Sequence, residues 1–379
     1  MKLGRRDLLD VPDDVAYLNT AYIGPAPRAA LKVAHEVIDS RRARPWNTAA
    51  SDFFSEADEA RIVAAKLFGA DSEGVAIVPA TSYGIATAAR NLPLGKDDEI
   101  IVLADGFPND LYTWMVAAEP VGAQVKTVSR RQGESWGEAI LGAMTPRTKV
   151  LSLVHTHWCD GGIVDLESIG AAARAQGAAM VLDLTQSLGA LPFDVAKIQP
   201  DFAISACYKW LLGPYSIGFM YVAPQHRNGL GLEQSWLLRE TSQDFANLIN
   251  YCHDYAPGAR RFDVGQRANF QLMPQAMAGM EMLIDLDPAE TSKALGALNA
   301  EIAARLDALG CRAESEEIRA PHYLSTRLPS DAPAGIVKAL HEEQVYISQR
   351  GPNLRITPHV HVSETDVDRL IAGIAARLG

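Results

Sequence analysis

Between residues 75 and 222 short apolar runs alternate with stretches of helical periodicity, and this alternation constrains the fold more than any other feature. The runs are 75–79, 99–104, 123–128, 150–154, 181–184, 202–205 and 218–222. Helical patterns fall between several of them, at 82–91, 107–118 and 166–176. Runs this short and this continuously apolar read as strands buried on both faces, and strands joined by helices pair in parallel. The expectation is an α/β fold: a three-layer sandwich with a mostly parallel central sheet. Ligands in such sheets lie beyond the carboxyl ends of the strands.

The flanks have a different texture. Residues 1–28 read as loop, with Pro25 and Pro27 blocking regular structure, and helical patterns follow at 28–43 and 52–69. From about Leu272 helices at 274–286, 291–309 and 365–377 enclose strand-like runs at 322–328, 344–348 and 353–357. This reads as a smaller C-terminal α+β domain. The chain of 379 residues is long for one core. The expected division is a large domain over 17–265 and a small one over 270–379, with 1–16 as a joining segment.

A net charge of -11 argues against nucleic acid as a partner. The cysteines at 159, 207, 252 and 311 form no C-x-x-C pair, so a reducing compartment is expected. No leading segment resembles a signal peptide and no apolar run approaches a membrane span. The expectation is a cytoplasmic protein with neither membrane nor nucleic acid partners.

Three strand exits carry chemistry. The stretch from Asp201 to Pro214 ends an apolar run on Tyr208 and Lys209, and Gly213-Pro214 stops a helix from continuing. The run before it exits on Asp183 and Gln186, and Lys209 follows Asp183 by one strand–helix–strand step. Further upstream Thr81 and Ser82 open a helix whose first amides are unpaired. An aldehyde cofactor with a phosphate and a pyridine nitrogen needs a lysine, an acid and a helix-start anion site. Each residue also has a plainer reading: a surface lysine, a sheet-end carboxylate, a helix cap. Phe107, after the 99–104 strand, is either a core side chain or a stacking face for a flat ring. Arg355 is either a surface residue or a fork for an α-carboxylate. A rival constellation, His155, His157 and Cys159 on one extended face, would suit a zinc hydrolase.

Taken together, the segment around Lys209 and the Asp183-Leu-Thr-Gln186 exit resemble the class V aminotransferases. These are fold-type I pyridoxal-phosphate enzymes of the aspartate aminotransferase-like architecture, including cysteine desulfurases, kynureninases and isopenicillin N epimerase-like proteins. The resemblance runs from about Tyr17 to the C-terminus. It implies a homodimer acting on an α-amino acid by amino-group transfer or β-elimination through a Lys209 Schiff base. Desulfurase, selenocysteine lyase-like and epimerase chemistry are its alternatives, and a non-catalytic cofactor-binding protein is an alternative of another class. It implies Asp183 at the pyridine nitrogen, Gln186 at the ring oxygen, Thr81, Ser82 and Tyr208 at the phosphate, and Phe107 on the ring. Ala206 replaces a common phosphate-binding serine, with Ser205 or Cys207 placed to take its part. The 261–270 segment, with Arg267 and Asn269, matches a loop that crosses a dimer interface towards the neighbouring phosphate. Arg355 matches the carboxylate-binding arginine, and Asn19, His157 and Trp158 join it on the substrate side. Two departures stand out. Desulfurases carry a nucleophilic cysteine just before that arginine, where 348–353 has none. Kynureninases have a histidine where Gln186 stands.

Overall fold

The computed structural model describes all 379 residues. The strands are β1 (Ala16–Tyr17), β2 (Val75–Val78), β3 (Glu99–Leu103), β4 (Gln124–Val128), β5 (Thr148–Val154), β6 (Ala179–Asp183), β7 (Phe202–Ala206), β8 (Gly218–Val222), β9 (Arg312–Ala313), β10 (Leu324–Arg327), β11 (Val345–Tyr346), β12 (Ser348–Arg350) and β13 (Asn353–Ile356). The helices are α1 (Arg28–Val37), α2 (Ser55–Phe68), α3 (Thr81–Asn91), α4 (Pro108–Ala118), α5 (Trp136–Ala143), α6 (Leu166–Gln176), α7 (Val195–Ile198), α8 (Met273–Leu286), α9 (Pro288–Asp307), α10 (Ile336–Glu342) and α11 (Glu364–Leu378).

Seven strands form the central sheet in the order β2-β8-β7-β6-β5-β3-β4. Only β8 runs against its neighbours β7 and β2; the β7-β6-β5-β3-β4 ladder is parallel throughout. The strand period sends alternate side chains to opposite faces. Val75 and Ile77 join one core with α2, α5, α6 and α8, while Ala76 and Val78 join another with α3 and α4. The three-layer α/β expectation is therefore met, and the parallel run brings the exits of β3, β5, β6 and β7 to one edge.

A third core is built by α9, α10, α11 and the antiparallel sheet β12-β13-β10-β9. Ala16 and Leu18 from the N-terminal segment belong to this core, because β1 pairs in parallel with β11. The first residues thus tie the C-terminal unit to the edge of the central sheet. The 1–28 segment is mostly irregular, as expected, with this two-residue strand as its exception.

Two close approaches set the geometry of that edge. Gly84 lets α3 pack directly on β7: a Cβ there would meet the Ile204 side chain at 2.6 Å. Gly24 lies against the backbone of the lysine segment, and its amide donates to the Tyr208 carbonyl at 2.8 Å. A Cβ at Gly24 would fall 2.1 Å from the Lys209 carbonyl oxygen, a distance only glycine avoids.

Three buried histidines line the junction behind Lys209. His322 stands edge-on to Trp210 at 4.4 Å and its Nε2 meets the Gln186 carbonyl. His361 pairs through Nε2 with the Tyr17 carbonyl. His359 lies 5.9 Å from Trp210 with both nitrogens unpartnered. Burial pushes His322 and His359 down to about 3 and His361 to about 4. Each is neutral in the fold, so its contribution is complete above the unfolded value near 6.5 and is lost as pH falls towards the folded one. Asp110 and Asp183, raised by burial, act in the opposite sense. His359→Phe isolates one group. The loss of urea-unfolding free energy between pH 7 and pH 5 should shrink by roughly 1–2 kcal/mol in the variant; an unchanged loss would show that His359 is protonated in the fold.

Candidate active site

The exits of β6 and β7 deliver an acid and a lysine to one cavity of about 150 Å³. Asp183 is the last residue of β6. After β7 the chain turns back on itself: the Gly213 amide donates to the Cys207 carbonyl and the Leu212 amide to the Lys209 carbonyl. Leu212 and Ser216 take left-handed backbone at φ 53 and 66 to complete the reversal into β8. This holds the Lys209 side chain in the cavity, where the residue is 9% exposed. Its Nζ lies 5.4 Å from the ring centroids of both Phe107 and Tyr208.

Electrostatics follow from that burial. Desolvation lowers Lys209 to about 8; Asp183 opposes the shift, while Arg355 and Arg350 add to it. Asp183 accepts the Thr185 amide on Oδ1 at 2.9 Å. Burial pushes Asp110 well above the usual carboxylate range, and the charge of Asp183 pushes it further. Asp110 is 8% exposed and its Oδ1 has no partner. Burial raises Asp183 as well, and two neighbouring buried carboxylates resist ionising together.

The sequence-derived residues divide by position. Thr81, Phe107, Trp158, Asp183, Gln186, Tyr208 and Lys209 line the cavity. Thr81 is not a cap, however. Ala80 occupies the N-cap of α3 and offers no side chain, while the Thr81 hydroxyl pairs with Thr185 Oγ1 at 3.0 Å. Ser82 follows within the first turn and does not line the cavity. The Gln186 amide is held by the fold, with Nε2 donating one N–H to the Ala21 carbonyl and Oε1 accepting from Trp210 Nε1, which leaves its second N–H free. Ser205 and Cys207 do not compensate for Ala206. Ser205 Oγ donates to the Ala206 carbonyl, Cys207 is in the core, and neither lines the cavity.

Arg267 and Asn269 are not brought to this cavity within the chain. Arg267 is 3% exposed and bound to Asp263, which Arg61 also clamps. Asn269 lines a separate cleft with Arg41, Phe53 and Trp236. His157 also falls outside: Nδ1 meets Asp160, Nε2 meets the Ala104 carbonyl, and the ring packs on Trp136. The zinc reading fails on geometry, because His155 turns to Phe193 while His157 turns to Asp160, and no cluster of three such ligands forms.

On the small-domain side, Arg355 on β13 is 1% exposed. Nε donates to Ser348 Oγ at 2.8 Å, Nη1 reaches the Trp158 carbonyl at 3.5 Å, and Nη2 is buried without a partner. An unpartnered buried guanidinium N–H costs a few kcal/mol until an anion meets it. Asn19 accepts from the same Ser348 hydroxyl, so it acts on Arg355 through that serine.

Asp110 is the functional candidate that sequence reading passed over. Asp110, Trp114 and Ala118 are the buried residues of α4. An acid on the inward stripe of an otherwise apolar helix face was the available signal. Asn109, Thr185, Tyr215 and Ser216 also line the cavity.

A buried lysine poised by an acid at the strand exits of a three-layer α/β sandwich defines a class of covalent-cofactor enzymes, and comparison with known proteins specifies it. The family model "Aminotransferase class-V" matches residues 24–369. A kynureninase of Deinococcus radiodurans is 30% identical, with 99% of this chain and 92% of the relative aligned. The isopenicillin N epimerase of Streptomyces clavuligerus is 24% identical over 99% of this chain and 97% of its own. Among solved structures, a cystine C–S lyase bound to its product cysteine persulfide superposes with TM-score 0.85 at 20% identity, covering 96% and 98% of the two chains. The cysteine desulfurase CsdA of Escherichia coli gives 0.82 at 20% identity, covering 99% and 97%. The chain belongs to the class-V aminotransferase family. It is a pyridoxal-phosphate-dependent enzyme whose substrate is an amino acid.

The cavity fits that cofactor on its own terms. It offers an amine whose proton affinity burial lowers, an acid at Asp183, an aromatic face at Phe107, and the free amides at the start of an eleven-residue helix, α3. The apoenzyme should therefore capture added pyridoxal phosphate at a rate that rises through pH about 8. Asp183→Asn should move this midpoint down, and Arg355→Leu should move it up. A midpoint near the ordinary lysine value of about 10.4 would show that Lys209 is solvated.

Proposed function

We propose that Lys209 carries the cofactor and that the enzyme performs amino-group transfer or loss of a β-substituent from an α-amino acid. The bound cofactor supplies an aldehyde carbon for covalent linkage and a protonated pyridine ring that withdraws electrons from the substrate Cα. The residues divide the remaining work. Asp183 holds the ring-nitrogen proton, and Asp110, itself protonated, lets Asp183 keep its charge beside Lys209. Phe107 covers the ring. Thr81 and the first amides of α3, with Tyr208, Tyr215 and Ser216 around them, take the phosphate. Arg355 Nη2 meets the substrate α-carboxylate and Trp158 walls the substrate side. Once displaced from the cofactor, Lys209 Nζ is a base: it takes the Cα proton and returns it to a neighbouring atom. The observation that carries this reading is one buried, partly neutral lysine between Asp183 and two aromatic rings.

Persulfide formation on an enzyme cysteine fits the site poorly. No cysteine lies in the 348–353 segment. Cys159 stands at the substrate side, 3.5 Å from the Asp105 carbonyl, and burial pushes its thiol up to about 11. A thiol held neutral there is a weak sulfur acceptor.

The same reading includes a homodimer. Asn269 and Phe270 line a cleft away from their own cavity, beside half-exposed Phe245 and Trp236. Tyr112, Val116, Ile249 and Tyr251 add large exposed apolar surface, as an obligate interface would. Division into units 17–265 and 270–379 fits the separate cores, and four unpaired cysteines fit a cytoplasmic setting. No helix is long and apolar enough to cross a membrane.

The test is a panel of α-amino acids, kynurenine and cysteine among them, that follows keto acid, released side chain and persulfide separately. Keto acid or side-chain release should dominate, and Asp183→Asn should cut it by at least a hundredfold, as loss of a preorganised charge does. Persulfide as the main product from cysteine would overturn the reading.

A further inference from the structure

Arg355 does not stand alone. In the β12–β13 ladder Ser348 lies opposite Arg355, and Arg350 lies two residues beyond Ser348 on the same strand. Side chains two apart on a strand share a face, so Arg350 and Arg355 are diagonal neighbours on one face of the small sheet, about 7–8 Å apart. That face looks across at the cavity wall. Arg355 reaches the Trp158 carbonyl, Ser325 Oγ donates to the Cys159 carbonyl, and the Arg350 guanidinium stacks 5.2 Å over the Trp158 ring.

Arg350 is half-buried there and forms no ion pair; its one hydrogen bond runs from Nη1 to the adjacent Gln349 carbonyl. Two guanidiniums on one face repel each other, and each lowers the proton affinity of Lys209. Anions placed to answer both charges would relieve that repulsion. One is answered by the substrate α-carboxylate at Arg355. We propose that Arg350 answers the other by binding a second acidic group on the substrate side chain, so that this enzyme selects α-amino acids with a short, anionic side chain. The reading rests on the assignment of Arg355 to the α-carboxylate. It assigns Trp158 a second task, as the plate that holds the Arg350 fork flat above the substrate.

The experiment titrates cofactor-loaded enzyme with L-aspartate and L-glutamate, their amides L-asparagine and L-glutamine, and L-alanine, reading the visible absorbance change. Wild type should bind an acid at least tenfold more tightly than its amide. Arg350→Gln should bring that ratio to within about twofold, weakening the acids at least tenfold more than alanine, and Arg350→Lys should restore part of the preference. Acid and amide binding equally to wild type would overturn the inference, as would an Arg350→Gln loss falling equally on alanine. Absence of any spectral response to all five amino acids would instead overturn the assignment of the cavity on which the inference rests.

Discussion

The structure depends on keeping one ammonium group out of water beside one carboxylate. Lys209 is buried far enough to lose most of its preference for charge, and Asp183 restores part of it. Neither residue could hold that position alone. Asp183 is fixed by ending a strand that is paired on both sides, and Lys209 by a reversal that needs two left-handed residues. The lysine backbone is pressed from behind by Gly24, whose missing side chain leaves room for the Lys209 carbonyl. The N-terminal segment thus packs against the site and, through β1, joins the core that also holds the strand of Arg355.

Charge is distributed with a sign across the cavity. Asp183 lines the cavity, and the buried carboxyl of Asp110 beside it is raised by burial and by the charge of Asp183. Arg355 and Arg350 lie against Trp158, which lines the cavity, and neither has an acidic partner. Lys209 is drawn towards charge by Asp183 and away from it by Arg355 and Arg350.

Much of the large domain was legible in the sequence because parallel strands buried on both faces leave unbroken apolar runs. The strands ending in Asp183 and Ala206 lie within two residues of their expected limits. The reversed direction of β8 was not legible, since strand direction leaves no mark in composition. Of the expected residues, Lys209, Asp183 and Phe107 do line one cavity, and Arg355 is buried on β13 rather than at the surface. What failed were assignments that depend on where a short polar side chain turns. His157 faces Asp160 and Ala104. Ser205 turns to its neighbouring carbonyl. Asp110 was missed for the converse reason: its signal is one acid on a buried helix stripe, and only tertiary packing shows that Asp183 lies beside it.

The most direct test of the central claim locates the covalent linkage itself. Purified enzyme would be reduced with borohydride, digested, and its peptides sequenced by mass spectrometry. The account requires a pyridoxyl group on Lys209, in the peptide that also carries Tyr208 and Trp210. Finding the group on any other lysine, or on none while the protein retains its visible absorbance, would contradict it.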